Sequence, residues 1–419
     1  MSRRSLMGAL AAGVGTLAAP RASSGSRPKV VVIGGGSGGA TAARYIAHDS
    51  AAEIEVTLIE PTRQYYTCYF SNLYIAGFWD YDDLAHGYGR LAARNGINVV
   101  HDWAVAVDRE ARQVRLAGGS ALPYDRLVIS PGIDFVEDSV PGWSVAAQNA
   151  MPHAYRAGSQ TRLLRDQLME MREGGVFCLV APPHPYRCPP GPYERICMVA
   201  HLLKQRNPKA KILLVDPKPG FPKQALFEEA WQRHYGGMIE RIGPESGSST
   251  ISVDPDTMTV DIDGHSETVD VCNVIPAQKA GHIAEVAGLT DDSGWAPVHP
   301  GDMTSRRDTA IHVLGDAADQ GDMPKSGFAA NSQAKVAANA ICHALLGQRA
   351  FPARYMNTCW SLLGPEDGVK VGAVYEPKDG RIRTVDSFIS TRDEDAQTRQ
   401  ATFRESVDWY HAITTDMFS

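Results

Sequence analysis

Two sets of residues in this 419-residue chain have the types and spacing to do chemistry. The first is Gly34, Gly36 and Gly39, a Gly-x-Gly-x-x-Gly run that follows the apolar stretch Lys29–Ile33 and precedes a helical stretch over residues 40–48. In such a run the first glycine permits a tight turn, the second lets a pyrophosphate approach the backbone, and the third lets helix and strand pack closely. The helix start then offers N–H groups and a positive dipole end to the phosphates. Glu60 closes the next apolar run about 20 residues further on, where an acid accepts hydrogen bonds from ribose hydroxyls. The second set is sulfur. Seven cysteines are too few for a disulfide scaffold. Cys178, Cys272 and Cys342 lie in apolar runs and Cys197 in a helical one, which suits core positions. Cys68, in Tyr65-Tyr66-Thr67-Cys68-Tyr69-Phe70, has no near partner and reads as a buried thiol, with a thioether to a cofactor ring as the chemical alternative. Cys188 stands in a proline-fixed loop and Cys359 in Asn357-Thr358-Cys359-Trp360; a redox pair assembled by the fold and a structural bridge both fit that spacing.

These residues need a frame of alternating strands and helices. Lys29–Ile33, the helix after it and the strand over 55–60 form a βαβ unit. From about Pro152 a second α/β segment follows: a helix over 161–172, the strand Val176–Val180, a helix over 193–204 and a strand over 211–216. Residues 311–315 form another buried strand and 331–346 a helix, and then 369–375 and Arg381–Ile389 form antiparallel strands before a final helix. The pattern predicts an α/β protein with two Rossmann-like dinucleotide-binding-type domains, in the disulfide reductase-like FAD/NAD(P) architecture, plus a smaller α+β C-terminal domain. The expected boundaries are 27–150 with 277–348 for the FAD-binding domain, 151–276 for the second domain and 349–419 for the C-terminal one.

Two further segments favour FAD over NAD. Residues 124–132, YDRLVISPG, resemble the strand and turn by which two-dinucleotide-domain flavoproteins cross to their second domain. Residues 311–317, IHVLGDA, resemble their second flavin motif, where an aspartate binds the ribityl chain; here that is Asp316, a residue that also suits a helix N-cap. Lys325, in MPKSG, falls where such proteins bring a cation to the flavin N1 and O2 edge. The strand Val176–Val180 runs into APPHPYRCPPGP instead of a second glycine loop. Proline has no N–H for a pyrophosphate, which argues against NAD(P).

Hydrophobic content of 43% and charged content of 21% are ordinary for a globular protein. The net charge of −7 repels nucleic acid and anionic lipid and suits a basic protein partner. Arg3 and Arg4 stand before a short apolar run, too short to span a bilayer, which reads as a twin-arginine export signal over residues 1–26 and a periplasmic location. Its removal would take three arginines and no acid, and a disulfide persists beyond the membrane. No spacing reads as a metal site, and without a Cys-x-x-Cys-His the chain does not itself attach c-type heme.

The stretches VVVIGGGSGGATAARYI, VTLIEPTRQYYTCYFSN, YRCPPGPYER, IHVLGDA, MPKSGFAANSQAKVAA and YMNTCWS together resemble the flavoprotein subunit of flavocytochrome c sulfide dehydrogenase. The similarity spans about residues 27–419, and YYTCYFSN and CPPGPYER are its most specific parts. It implies covalent 8α-S-cysteinyl FAD at Cys68, a redox disulfide between Cys188 and Cys359, sulfide as substrate and a heme-bearing cytochrome c subunit as acceptor. Around that chemistry Glu194 is a candidate for proton handling or a surface carboxylate, and Arg187 attracts the anion or pairs with an acid. Trp409 covers the flavin or packs in the core. A sulfide:quinone oxidoreductase and a non-catalytic accessory flavoprotein of a sulfur-oxidising system are the competing readings. Residues 390–419, rich in Asp, Glu, Arg and Thr, do not suit the apolar surface a quinone enzyme needs, nor a stable membrane insertion.

Overall fold

The computed structural model describes residues 26–248 and 250–419; the Arg3-Arg4 segment lies outside the described residues. Strand β1 (Lys29–Ile33), helix α1 (Ser37–Asp49) and strand β2 (Glu55–Ile59) build the first βαβ unit, β1 and β2 pairing in parallel register from Lys29↔Glu55 to Ile33↔Ile59. Val30, Val31, Val32 and Leu58 are buried on both faces of the sheet, as the unbroken apolar runs require. Helix α2 (Ser71–Ala76) and strands β3 (Asn98–Val100) and β4 (Arg126–Ile129) follow.

The next sheet holds β5 (Val176–Val180), β6 (Lys211–Val215), β7 (Ile239–Ile242) and β8 (Val271–Val274), all parallel in the order β7-β6-β5-β8. Helix α3 (Gly191–Arg206) connects β5 to β6 and starts two residues earlier than the periodicity predicts, with Pro192 in its first turn. Proline is accommodated there because the first helical N–H groups have no intrahelical partner.

The chain then returns to the first sheet with β9 (Thr304–Ser305) and β10 (Asp308–Val313), completing the order β9-β10-β4-β1-β2-β3. Helix α4 (Gly327–Leu346) packs on α1 through alanines such as Ala334, Ala337 and Ala338. Its N-cap is Ser326, whose Oγ accepts from Ala329 N–H at 3.0 Å. The last sheet is antiparallel: β11 (Tyr355–Gly364), β12 (Asp367–Lys378) and β13 (Arg381–Ile389). Helix α5 (Ala396–Phe418) closes the chain against this sheet and α1. No helix among the described residues is long and apolar enough to cross a membrane.

Candidate active site

Strand β1 ends at Ile33, and the backbone must then turn sharply into α1. Gly34 takes φ +96°, and a Cβ there would lie 2.3 Å from the Ser130 carbonyl oxygen. A Cβ on Gly39 would lie 1.8 Å from the Gly34 carbonyl, so helix and strand touch through backbone alone. Glu60 points back at the turn: its Oε2 accepts from Gly35 N–H at 2.8 Å and its Oε1 from the Thr62 N–H and hydroxyl. Tyr65 and Tyr88, two residues that sequence reasoning did not single out, flank the turn. The Tyr65 ring lies by Gly36, and the Tyr88 hydroxyl donates to the Gly35 carbonyl at 3.2 Å.

A cavity follows this turn, with Glu60, Cys68, Asp316 and Gly327 on its walls. Asp316 is held by Arg187, whose Nε donates to its Oδ2 at 2.6 Å, while the buried Oδ1 has no partner among the described residues. An orphaned buried carboxylate oxygen is costly unless a donor reaches it, and the hydroxyls of a bound dinucleotide supply such donors. The glycine cradle, the helix start and this open acceptor together fit FAD. Asp316 is therefore placed on the cofactor cavity by the short helical turn Gly315–Ala317, and α4 has its own cap in Ser326.

Arg187 pairs with the acid Asp316 and borders both this cavity and the next. Lys325 Nζ donates to the Asp316 and Ala318 carbonyls at 2.8 Å each and lies 3.6 Å from the centre of the Trp295 ring. Burial lowers it to about 8.

Cys68 is shared by the two cavities, and the second, of about 960 Å³, carries Cys188, Glu194, Cys359 and Trp409 on its walls. Cys188 reaches it from the loop ahead of α3, with φ +52° and its N–H donating to the Lys325 carbonyl at 2.7 Å. Cys359 reaches it from the middle of β11. Phe70 (φ +70°) and Ala154 (φ +46°) line the same cavity, so strained backbone gathers at this site. In this structure Cys188 and Cys359 are free thiols; the expected bridge is not formed. Burial raises both, Cys188 well above the ordinary thiol range, with the negative charges of its sulfur partner and Glu194 adding to the rise.

Glu194 is not on the surface. It sits in the first turn of α3 between α2 and β11, where Oε2 accepts from Asn72 Nδ2 at 2.8 Å and Oε1 from Leu362 N–H at 2.9 Å. Burial pushes its carboxyl up. Trp409 packs with Trp360 at 5.0 Å and Phe328 at 5.9 Å between ring centres, an aromatic wall over the cavity rather than a core position. Two groups behind the wall have no distinct sequence signal. Asn357 Nδ2 donates to Cys359 Sγ at 3.3 Å, and Lys223 Nζ donates to the Cys359 carbonyl at 3.0 Å.

Comparison with known proteins bears on this arrangement. Residues 161–276 match the family described as sulfide dehydrogenase [flavocytochrome c] flavoprotein chain, central, and residues 351–418 match flavocytochrome c sulphide dehydrogenase, flavin-binding. The sulfide dehydrogenase flavoprotein chain of Chlorobaculum thiosulfatiphilum is 50% identical over 44 residues, which are 10% of this chain and 90% of that sequence. The chain belongs to the flavocytochrome c sulfide dehydrogenase flavoprotein family. The family's central region contains Cys188, Lys223 and Glu194, and its flavin-binding region contains Asn357, Cys359 and Trp409, so the sulfur cavity is where the two regions meet.

Residues 28–172 match pyridine nucleotide-disulphide oxidoreductases, which is the architecture seen in the two parallel sheets. The mitochondrial sulfide:quinone oxidoreductase of Dictyostelium discoideum is 22% identical over 332 residues, 76% of this chain and 71% of that one. The fold is shared with the sulfide:quinone oxidoreductase of Aquifex aeolicus at a TM-score of 0.70 and 18% identity, covering 93% of this chain and 92% of that chain. It is also shared with an NAD-dependent persulfide reductase from A. fulgidus at a TM-score of 0.62 and 16% identity, covering 91% and 77%.

Proposed function

We propose that this chain oxidises hydrogen sulfide to sulfur or polysulfide with a Cys188–Cys359 disulfide beside FAD, and passes the electrons to a cytochrome c partner subunit. The observation that carries the proposal is that Cys188 and Cys359, far apart in sequence, line one cavity whose other wall is Cys68, at the end of the dinucleotide cradle. FAD, when bound, supplies a two-electron acceptor that can release its electrons singly. The glycine turn and Glu60 would hold its adenosine end, Asp316 its ribityl chain, and Cys68 its covalent attachment.

Hydrosulfide attacks one sulfur of the bridge, the S–S bond breaks, and its electron pair goes to the other sulfur; the products are a persulfide and a thiolate. Arg187, Arg195 and Lys223 give the site a positive field that draws the anion in. Glu194, held at the wall by two donors, takes up or gives a proton as the thiol pair opens and closes. Export through Arg3-Arg4 into the periplasm would let the bridge persist, and a separate cytochrome subunit would carry the heme for which this chain has no attachment motif.

Cys188→Ser and Cys359→Ser are each expected to lower sulfide-dependent flavin bleaching by at least about a thousandfold, since each removes the attacked bridge. Bleaching at the native rate in either variant would overturn the proposal. Sulfide-dependent reduction of cytochrome c but not of a quinone is expected of the native protein, and the reverse preference would move it to the quinone-reducing class.

A further inference from the structure

Lys223 stands at the turn before the helix Gln224–Ala230, and three features of it are unusual. It is 5% exposed, it holds φ +65°, and among the described residues it has no carboxylate within ion-pair distance. Burying an ammonium and placing a non-glycine residue in the left-handed region each cost stability, so a lysine persists there only where its surroundings hold it. Its Nζ donates to the Cys359 carbonyl at 3.0 Å and the Ser361 hydroxyl at 2.8 Å, both on β11, and lies 6.0 Å from the Phe227 ring centre. The titratable groups facing it are Cys359 on β11, Glu194 on α3 and Cys188 on the loop ahead of α3.

The two thiols are not equivalent. Cys359 Sγ receives a hydrogen bond from Asn357 Nδ2 at 3.3 Å. Ser326 Oγ, which accepts from Ala329 N–H, donates to Asn357 Oδ1 at 2.5 Å, and this pairing goes with the Asn357 Nδ2 that faces Cys359. Among the described residues Cys188 Sγ has no such donor; burial and the charges of Cys359, Glu194 and Cys68 oppose its ionisation, and Lys223 alone of its neighbours favours it.

We propose that Lys223 is a positioning residue of the thiol pair: with Asn357 it directs the negative charge to Cys359 when the bridge opens, so that the sulfane sulfur stays on Cys188. This rests on the disulfide reading above. Hydrosulfide bonds to Cys188 Sγ, the Cys188–Cys359 bond breaks, its electron pair becomes the Cys359 thiolate, and the hydrosulfide proton remains on the outer sulfur of the persulfide. Burial lowers Lys223 to about 8, so the assistance fades as pH rises through that value.

The test is peptide-resolved alkylation of the chemically reduced holoprotein by iodoacetamide as a function of pH. Lys223→Met is expected to raise the apparent Cys359 midpoint by about one pH unit, roughly tenfold slower alkylation at neutral pH. Lys223→Arg, which does not titrate, is expected to restore the native midpoint and abolish the break near pH 8. Native Cys359 kinetics in Lys223→Met would overturn the inference. If that variant does not retain flavin, Lys223→Arg decides: a profile that keeps the native break overturns it. After one equivalent of sulfide the added sulfur is expected on the Cys188 peptide, and its recovery on Cys359 would contradict the assignment. Failure of the disulfide reading shows itself separately, as sulfide turnover by Cys188→Ser or Cys359→Ser.

Discussion

At the scale of single residues, Glu194 has two donors, Asn72 Nδ2 and Leu362 N–H, aimed at its two oxygens, an arrangement that suits a carboxylate and not a carboxamide. Its charge raises both thiols. Glu194→Gln is therefore expected to act opposite to Lys223→Met, speeding Cys359 alkylation at fixed pH by about threefold to tenfold, while the lost hydrogen bond costs about 1–2 kcal/mol in denaturant unfolding. Unchanged alkylation would show that the carboxyl is neutral when the thiols react. Glu194 was legible as a candidate because it follows the cysteine loop by six positions, but its burial was not, since the α3 face it occupies is covered by β11 from far along the chain. Lys223 carries no signal at all in Phe221-Pro222-Lys223-Gln224. Lys325 is legible by motif position, while the Asp316 and Ala318 carbonyls and the Trp295 ring that hold its Nζ are visible only in the fold.

At the scale of elements, the β1–α1 turn tolerates no side chain. A Cβ at Gly39 would meet the Gly34 carbonyl at 1.8 Å, and neither partner is a flexible side-chain end. Gly39→Ala is expected to cost at least about 3 kcal/mol in denaturant unfolding and to leave most chains without flavin, measured as visible absorbance per chain. Retained flavin with unchanged unfolding would mean that helix and strand can separate freely. The parallel strands were legible because they are buried on both faces: β1 and β5 fall where the apolar runs Lys29–Ile33 and Val176–Val180 lie. β11 was not. Its burial does not keep a period of two, three half-buried residues in its middle giving way to four buried ones, and it mixes Asn, Thr and Ser with Trp and Leu, so no strand is legible around Cys359. The small antiparallel strands Ile251–Asp254, Thr259–Ile262 and His265–Thr268 are equally hard to read: four residues each, half-buried in the first two and exposed in the third, leave little hydrophobic pattern.

At the scale of the whole molecule, the site is an assembly of distant pieces. α5 lays Trp409 over the sulfur cavity, while its Asp416 accepts from Tyr45 of α1 and Asn331 of α4 at 2.9 and 3.0 Å, and Phe418 stacks on His86 at 5.2 Å. The cysteine loop, β11 and the Cys68 segment come from three separate stretches, and only their packing creates one chamber. The most direct measurement is mass spectrometry of the native protein, denatured and digested without reductant. A peptide pair cross-linked through Cys188 and Cys359 that parts on reduction is expected, together with a Cys68 peptide that keeps the mass of FAD. Two freely alkylated thiols at Cys188 and Cys359 in the oxidised, sulfide-active protein would contradict it.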